Sequence, residues 1–225
     1  MPTTIGDIVT QMRVRLGEST PNEWTDAQLQ TYARNAEQWM ANFLGKMPFS
    51  GRFKYRESFV IPADTTDVAL SSLTKRFAGL RNIFMLLPGG YLSDSLTEID
   101  EFQENRWTGS TLFTWGGLVV PGYMIRDTNL RFLPKASGTR TIYIVYRWLP
   151  ALAKVSGANL DTPEDYNDDI VARALHFALA DVGEKNTSFE EEYSARLGEI
   201  EMIEIARSHE SGGERVQARS PITFT

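Results

Sequence analysis

The sequence contains no cysteine. That excludes a disulfide framework, an iron–sulfur cluster and any thiolate metal site. It suits a reducing cytoplasm and is also compatible with a secreted fold. Histidine is almost as scarce, with two residues, His176 and His209, so imidazole chemistry has few places to occur. Long apolar runs are missing too. The longest, Ile83 to Leu87, falls far short of the roughly 20 residues that span a bilayer. The Met-Pro-Thr-Thr start has no basic region followed by an apolar run, so neither a membrane association nor a signal peptide is expected. Positive charge is in deficit, with 23 Lys and Arg against 29 Asp and Glu and a net charge of −6. A chain that gripped DNA without regard to sequence would need clustered surplus cations, and that function is not expected here.

What is present is an ordinary globular composition, 42% hydrophobic and 23% charged over 225 residues, long enough to build a real core. The first ~45 residues read as two helices by their 3.6-residue apolar period. The first runs from Thr4 to Gly17 on Ile5, Val9, Met12 and Leu16, with Gly17 as its stop. The second starts at a capping box of Thr25 with Gln28, flanked by Trp24 and Leu29 in staple positions. It continues through Tyr32, Ala33, Ala36, Trp39, Met40, Phe43 and Leu44 to Gly45. From Arg52 to Leu149 the period shortens. Strands are expected over Arg52–Ile61, Val68–Leu70, Leu80–Leu87, Gly122–Asp127, Leu130–Leu133 and Thr139–Trp148, with turns at Pro88-Gly89-Gly90 and Asp127-Thr128-Asn129. A short helix is expected from Thr97 to Trp107, capped by Thr97, with Ile99, Phe102 and Arg106 on one face. In the last strand Ile142, Ile144 and Tyr146 alternate with Tyr143, Val145 and Arg147, the pattern of a strand at least partly buried on both faces.

A second helical pair follows. Thr162 is the expected N-cap with Pro163 as the first helical residue. Ile170, Val171, Ala174, Leu175, Ala178 and Val182 form its buried stripe, and Gly183 closes it. The last helix opens on a second capping box, Ser188 with Glu191. It buries Phe189, Tyr193, Leu197, Ile200 and Ile203, pairs Glu192 with Arg196 and frays near Ser208. Ser211-Gly212-Gly213 breaks it. Glu214 to Thr225 carries no helical or core pattern and is expected to order only against a partner. The expected fold is therefore α+β: an antiparallel helical bundle made from residues 1–48 and 151–211, a β-rich lobe inserted at 49–150, and an extended tail at 212–225.

Motifs of catalysis are missing. No serine sits in a Gly-x-Ser-x-Gly elbow, and no glycine-rich phosphate loop precedes Lys-Ser/Thr. His176 lies on a strongly apolar helix, where a satisfied core-edge residue is the simpler reading than a ligand. Asp161, Glu164, Asp165, Asp168 and Asp169 do not fit a calcium loop; the first of them meet a helix N-terminus, where the dipole favours them. Glu98, Asp100, Glu101 and Glu104 are dense but unmarked. No enzyme, cofactor or metal is expected. Trp107, Phe113 and Trp115 lie in a loop of Gly, Ser and Thr; they either complete the core of their own lobe or form a contact surface of the kind aromatics favour.

The chain resembles the head-to-tail adaptors of short-tailed bacteriophages, also called tail tubular protein A or head-completion connectors. Three stretches carry the resemblance: Asp7 to Leu16 followed by Trp24-Thr25-Asp26-Ala27-Gln28-Leu29 and Tyr32; the β region with its Phe59-Val60-Ile61-Pro62 strand end; and Asp161-Thr162-Pro163-Glu164-Asp165-Tyr166 leading into Ile170 and Ala174. The resemblance implies a structural virion protein at the head-tail junction, assembled in the host cytoplasm. It implies a homo-oligomeric, dodecameric ring beneath the portal protein and above the tail nozzle protein, with double-stranded DNA passing through without specific binding. Arg215, Val216, Arg219, Pro221, Ile222 and Phe224 would be the portal-binding tail. Trp107, Phe113 and Trp115 would contact the nozzle or a neighbour. Glu190, Glu201 and Glu204 would line an acidic lumen that keeps the duplex off the wall. Another tail-completion or nozzle component, or a carbohydrate-binding or hydrolytic module, are the alternatives.

Overall fold

The computed structural model describes residues 3–17, 23–47, 51–100, 114–115, 118–119, 121–135, 138–183 and 187–210. They form an α+β fold whose described residues divide into two compact units: one drawn from both ends of the chain, up to Phe53 and from Leu149 onward, the other from Lys54 to Trp148.

In the first unit, helix α1 (Ile5–Leu16) starts at Thr4, whose Oγ1 accepts from the Asp7 amide while the Asp7 carboxylate accepts from the Thr4 amide. It stops at Gly17, where a φ of 71° lets the amide reach back to Arg13 and Val14, a conformation only glycine adopts freely. Its first turn is pinned by the segment after Leu149: the Ile5 and Gly6 amides donate to the Ala158 and Ser156 carbonyls, and the Leu160 amide donates to Thr3. A Cβ on Gly6 would lie 2.9 Å from the Ser156 Oγ and 3.3 Å from its carbonyl oxygen, so a larger residue would fit here only if that segment shifted. Helix α2 (Asp26–Lys46) begins in the Thr25–Gln28 capping box read from the sequence. Its buried face is Leu29, Ala33, Ala36, Met40, Ala41 and Leu44. Helix α3 (Asn167–Asp181) buries Ile170, Val171, Ala174 and Ala178. The alanines on both helices leave room for the two backbones to approach, and α1, α2 and α3 are in mutual contact. Helix α4 (Thr187–Glu210) buries Tyr193 and Ile200.

Several expectations change here. Thr162 caps no α-helix: Glu164–Tyr166 form a 3₁₀ turn first, and α3 starts at Asn167. Tyr166 is 2% exposed, and burying its ring selects the tighter entry. Val182, assigned to the α3 stripe, is 52% exposed, because it lies past the last helical residue. Ser188 lies inside α4 rather than ahead of it, and α4 continues to Glu210.

Among its described residues the second unit holds two three-stranded antiparallel sheets, ordered β1-β8-β3 and β2-β7-β6, and an antiparallel pair β4-β5. The strands are β1 (Lys54–Ile61), β2 (Asp67–Ala69), β3 (Phe77–Met85), β4 (Thr114–Trp115), β5 (Leu118–Val119), β6 (Gly122–Arg126), β7 (Asn129–Leu133) and β8 (Arg140–Trp148). Strand β8 is central, and Ile142, Ile144 and Tyr146 are fully buried while the residues between them are half-buried. They pack with Ile83, Met85, Leu130 and Phe132 in the core of this unit. The β6–β7 turn places Asp127 at φ 53°, a left-handed position that Asp tolerates better than most side chains.

The helix expected from Thr97 is absent over its first four residues. That stretch is extended: the Tyr123 amide donates to Thr97 and the Ile99 amide to Tyr123, a parallel bridge centred on Glu98 and Tyr123. The free edge of β6 offers main-chain partners, and Ile99 gains burial to 3% exposure beside Met124 and Leu133. Tertiary pairing outweighs the local cap. The remainder of that expected helix, residues 101–107, lies outside the described residues.

Candidate interaction surfaces

Glu204 sits on the buried stripe of α4, four residues after Ile200, and is 4% exposed. Its Oε1 accepts from the Tyr166 hydroxyl at 2.5 Å, from Arg52 at 3.0 Å and from Arg207 at 3.1 Å. Arg207 reaches on to Asp165 at 2.7 Å. Burial pushes this carboxyl up, but the Tyr166 hydrogen bond and the two guanidinium groups outweigh it and hold it below the usual carboxylate range. The same contact raises the Tyr166 phenol, with burial as the larger cause. Glu204 therefore ties the entry of α3 to α4. As a solvated acid on a lumen wall it is corrected by its burial, and Ile203, expected in the buried stripe, is 38% exposed.

A second buried pair lies between α2 and the connection into α3. Glu37, 1% exposed, accepts from Lys154 Nζ and the Asp161 amide, both at 2.6 Å. Lys154 also meets Asp161 at 2.8 Å. Burial is the larger influence on Glu37 and raises it above the usual range, against the lowering effect of Lys154 and the Asp161 amide. Arg173 on α3 lies over the rings of Trp39 and Tyr193, 4.8 and 5.5 Å from their centroids, joining α2, α3 and α4 through cation–π contacts. Arg196 turns inward to Asp169 at 3.0 Å and along the helix to Glu199. It is not paired with Glu192 as the spacing suggested, because a buried carboxylate on the facing helix is the stronger partner.

On the outside of α4, Glu191, Glu192, Glu199 and Glu201 are exposed and Met202 is 67% exposed. Glu201, one of the acids expected to line a lumen, is among these exposed residues; the side chain of Glu190 lies outside the described residues. Trp115 belongs to β4 and pairs through its main chain with Leu118; its side chain, together with Trp107, Phe113 and the tail residues Arg215, Val216, Arg219, Pro221, Ile222 and Phe224, lies outside the described residues. Sequence reading missed one surface. Lys54, Arg56 and Arg147 fall on the face of the β1-β8-β3 sheet opposite the core, by the pairing of Lys54 with Arg147 and Arg56 with Val145. The signal was a period of two in cations, which the apolar alternation concealed.

Among the described residues no group of His, Asp and Glu is placed to hold a metal ion, and no helix is long and apolar enough to cross a membrane. His176 is half-buried and its ring lies 6.4 Å from that of Phe177. Comparison with known proteins gives one family: the model described as SU10 adaptor protein matches residues 3–220. No curated protein matches the chain.

Proposed function

Because this chain belongs to the SU10 adaptor protein family, we propose that it is a structural virion protein of a bacteriophage, the adaptor at the head-to-tail junction. The observation that carries this reading is the extent of the match, residues 3–220, which takes in both units rather than one motif. The finer reading is that the particle is short-tailed and that copies close into a ring, a dodecamer by resemblance, between the portal protein and the tail nozzle protein. In it, residues 1–48 and 151–211 act as an antiparallel bundle, 49–150 as an inserted lobe, and 212–225 as an arm. Buried ion pairs, cation–π contacts and capped helices in the helical unit support it, because they brace that unit internally, and this role assigns no catalytic residue.

The duplex passes through the ring without being gripped. Glu190 and Glu201 are eleven residues apart on α4, three helical turns at 3.6 residues per turn, so they share one flank. An acidic flank repels phosphate within a Debye length of about 8 Å at physiological salt. The tail residues Arg215, Val216, Arg219, Pro221, Ile222 and Phe224 bind the portal, where many weakly bound arms on one ring act together. Trp107, Phe113 and Trp115 contact the nozzle or a neighbouring copy.

Deleting Glu214–Thr225 tests the arm. The expected result is a chain of unchanged helicity by circular dichroism that no longer joins the portal in a pull-down. A truncated chain that still joins it would overturn the arm's role.

A further inference from the structure

Strand β1 is an edge of the β1-β8-β3 sheet. Its Tyr55–Ile61 stretch takes its main-chain partners on β8, and among the described residues it has none on its other side. Every second amide and carbonyl of that stretch therefore points away from the sheet. The opposite edge is treated differently. Beyond β3, the Ser93 amide donates to the Met85 carbonyl and the Leu96 amide to the Ile83 carbonyl, both at 2.8 Å, so a returning stretch of chain covers that edge. An uncovered edge is a template for a further strand.

The side chains repeat the asymmetry. On the core side, Ile142, Ile144 and Tyr146 of β8 are fully buried, whereas Tyr55 and Phe59 of β1 pack on the same core and stay half-buried. On the outward side Val60 is 66% exposed. Both faces lose their cover at β1, and a strand laid along it would supply that cover.

Chain connectivity supplies the occupant. Glu204 accepts from Arg52 at 3.0 Å and from Arg207 at 3.1 Å, so the last turns of α4 are fastened two residues ahead of Lys54, where β1 starts. Helix α4 ends at Glu210. Residues 211–220 can extend over about 33–36 Å, more than the roughly 26 Å of β1 at about 3.3 Å per residue. Then comes Ser220-Pro221-Ile222-Thr223-Phe224-Thr225. Residues of high strand propensity follow a proline, the composition of a short edge strand. Ile222 and Phe224 alternate with threonines, so pairing would set the two apolar side chains beside Tyr55 and Phe59 and the threonines beside Val60.

We propose that Ile222–Thr225 pairs as a fourth strand on the open edge of β1 in its own chain, and that the portal takes the arm from there. This rests on the reading of the tail as the portal-binding arm and gives that arm a resting site. The tether favours the chain's own segment over a neighbour's, because a linker of this length holds it at an effective concentration on the order of millimolar. Four residues of pairing are few, so a portal that binds the whole arm can displace them.

The test is amide hydrogen exchange, read residue by residue by NMR, on the full chain and on a chain lacking Glu214–Thr225. Every second amide of Tyr55–Val60 is expected to exchange at least tenfold faster without the tail, while the amides bonded to β8 keep their rates. The full-length variant with Ile222→Asp and Phe224→Asp is expected to match the truncated chain. Equal exchange in all three overturns the pairing. Protection that grows with protein concentration overturns the own-chain contact in favour of a neighbour's segment. Portal protein added to the full chain is expected to return the β1 amides to the fast rate, and protection that persists in the portal complex overturns the release. A tail that protects β1 but is dispensable for joining the portal leaves the strand pairing standing and overturns the arm's role instead.

Discussion

Removing a carboxylate from water costs several kcal/mol unless its oxygens are matched. Glu204 matches them with Tyr166, Arg52 and Arg207, and Arg52 and Arg207 keep partial access to solvent. Glu204→Ala is therefore expected to destabilise the fold by about 2–3 kcal/mol, below the range of about 3–5 for a fully buried pair, read as a shift in the urea midpoint. Its pH dependence has a definite sign. The folded chain holds this carboxyl low, so the unfolded chain takes up the proton more readily. The contribution is complete above the unfolded value of about 4.3 and is lost as pH falls through the folded value. Glu37 works in the opposite sense: burial raises it, so the folded chain binds the proton more readily and stability falls as pH rises from the unfolded to the folded value. Glu204→Gln should flatten the loss of stability on acidification, and a urea titration across that window measures it. At the other pair, Lys154→Met alone should cost about 3–5 kcal/mol by stranding Glu37, while Lys154→Met with Glu37→Leu should cost much less. A double-mutant cycle showing the two changes to be additive would contradict that coupling.

At the scale of the element, the ends of α1 and α2 are set by single residues. Thr25→Ala removes the acceptor for the Gln28 amide and should cost about 1 kcal/mol. Gly17→Ala meets no atom within 4 Å but keeps a φ of 71°, and should cost about 1 kcal/mol through strain. Both are read from thermal denaturation. These caps were legible in the sequence because a capping box and a closing glycine act within one turn of chain. The alternation of β8 was legible for the same reason, since burial repeats every second residue. What failed to show was everything decided by a distant partner. Thr97 has the side chain of a helix cap, but its carbonyl and the Ile99 amide pair with Tyr123. Glu204 has the composition of a surface acid, and its burial depends on Arg52, 152 positions away. Arg196 has Glu192 at the favoured spacing, yet Asp169 on the facing helix holds it. The cationic face of the β1-β8-β3 sheet emerges only when register brings Lys54 beside Arg147.

At the scale of the whole molecule, the proposed function is assembly: copies join one another and the portal. The central claim is that the chain joins head to tail as an adaptor, and the mass of the species it forms with purified portal protein tests it most directly. The prediction is one discrete assembly containing the portal and a fixed number of 25.4 kDa chains. A chain that remains at its monomer mass beside an intact portal would contradict it.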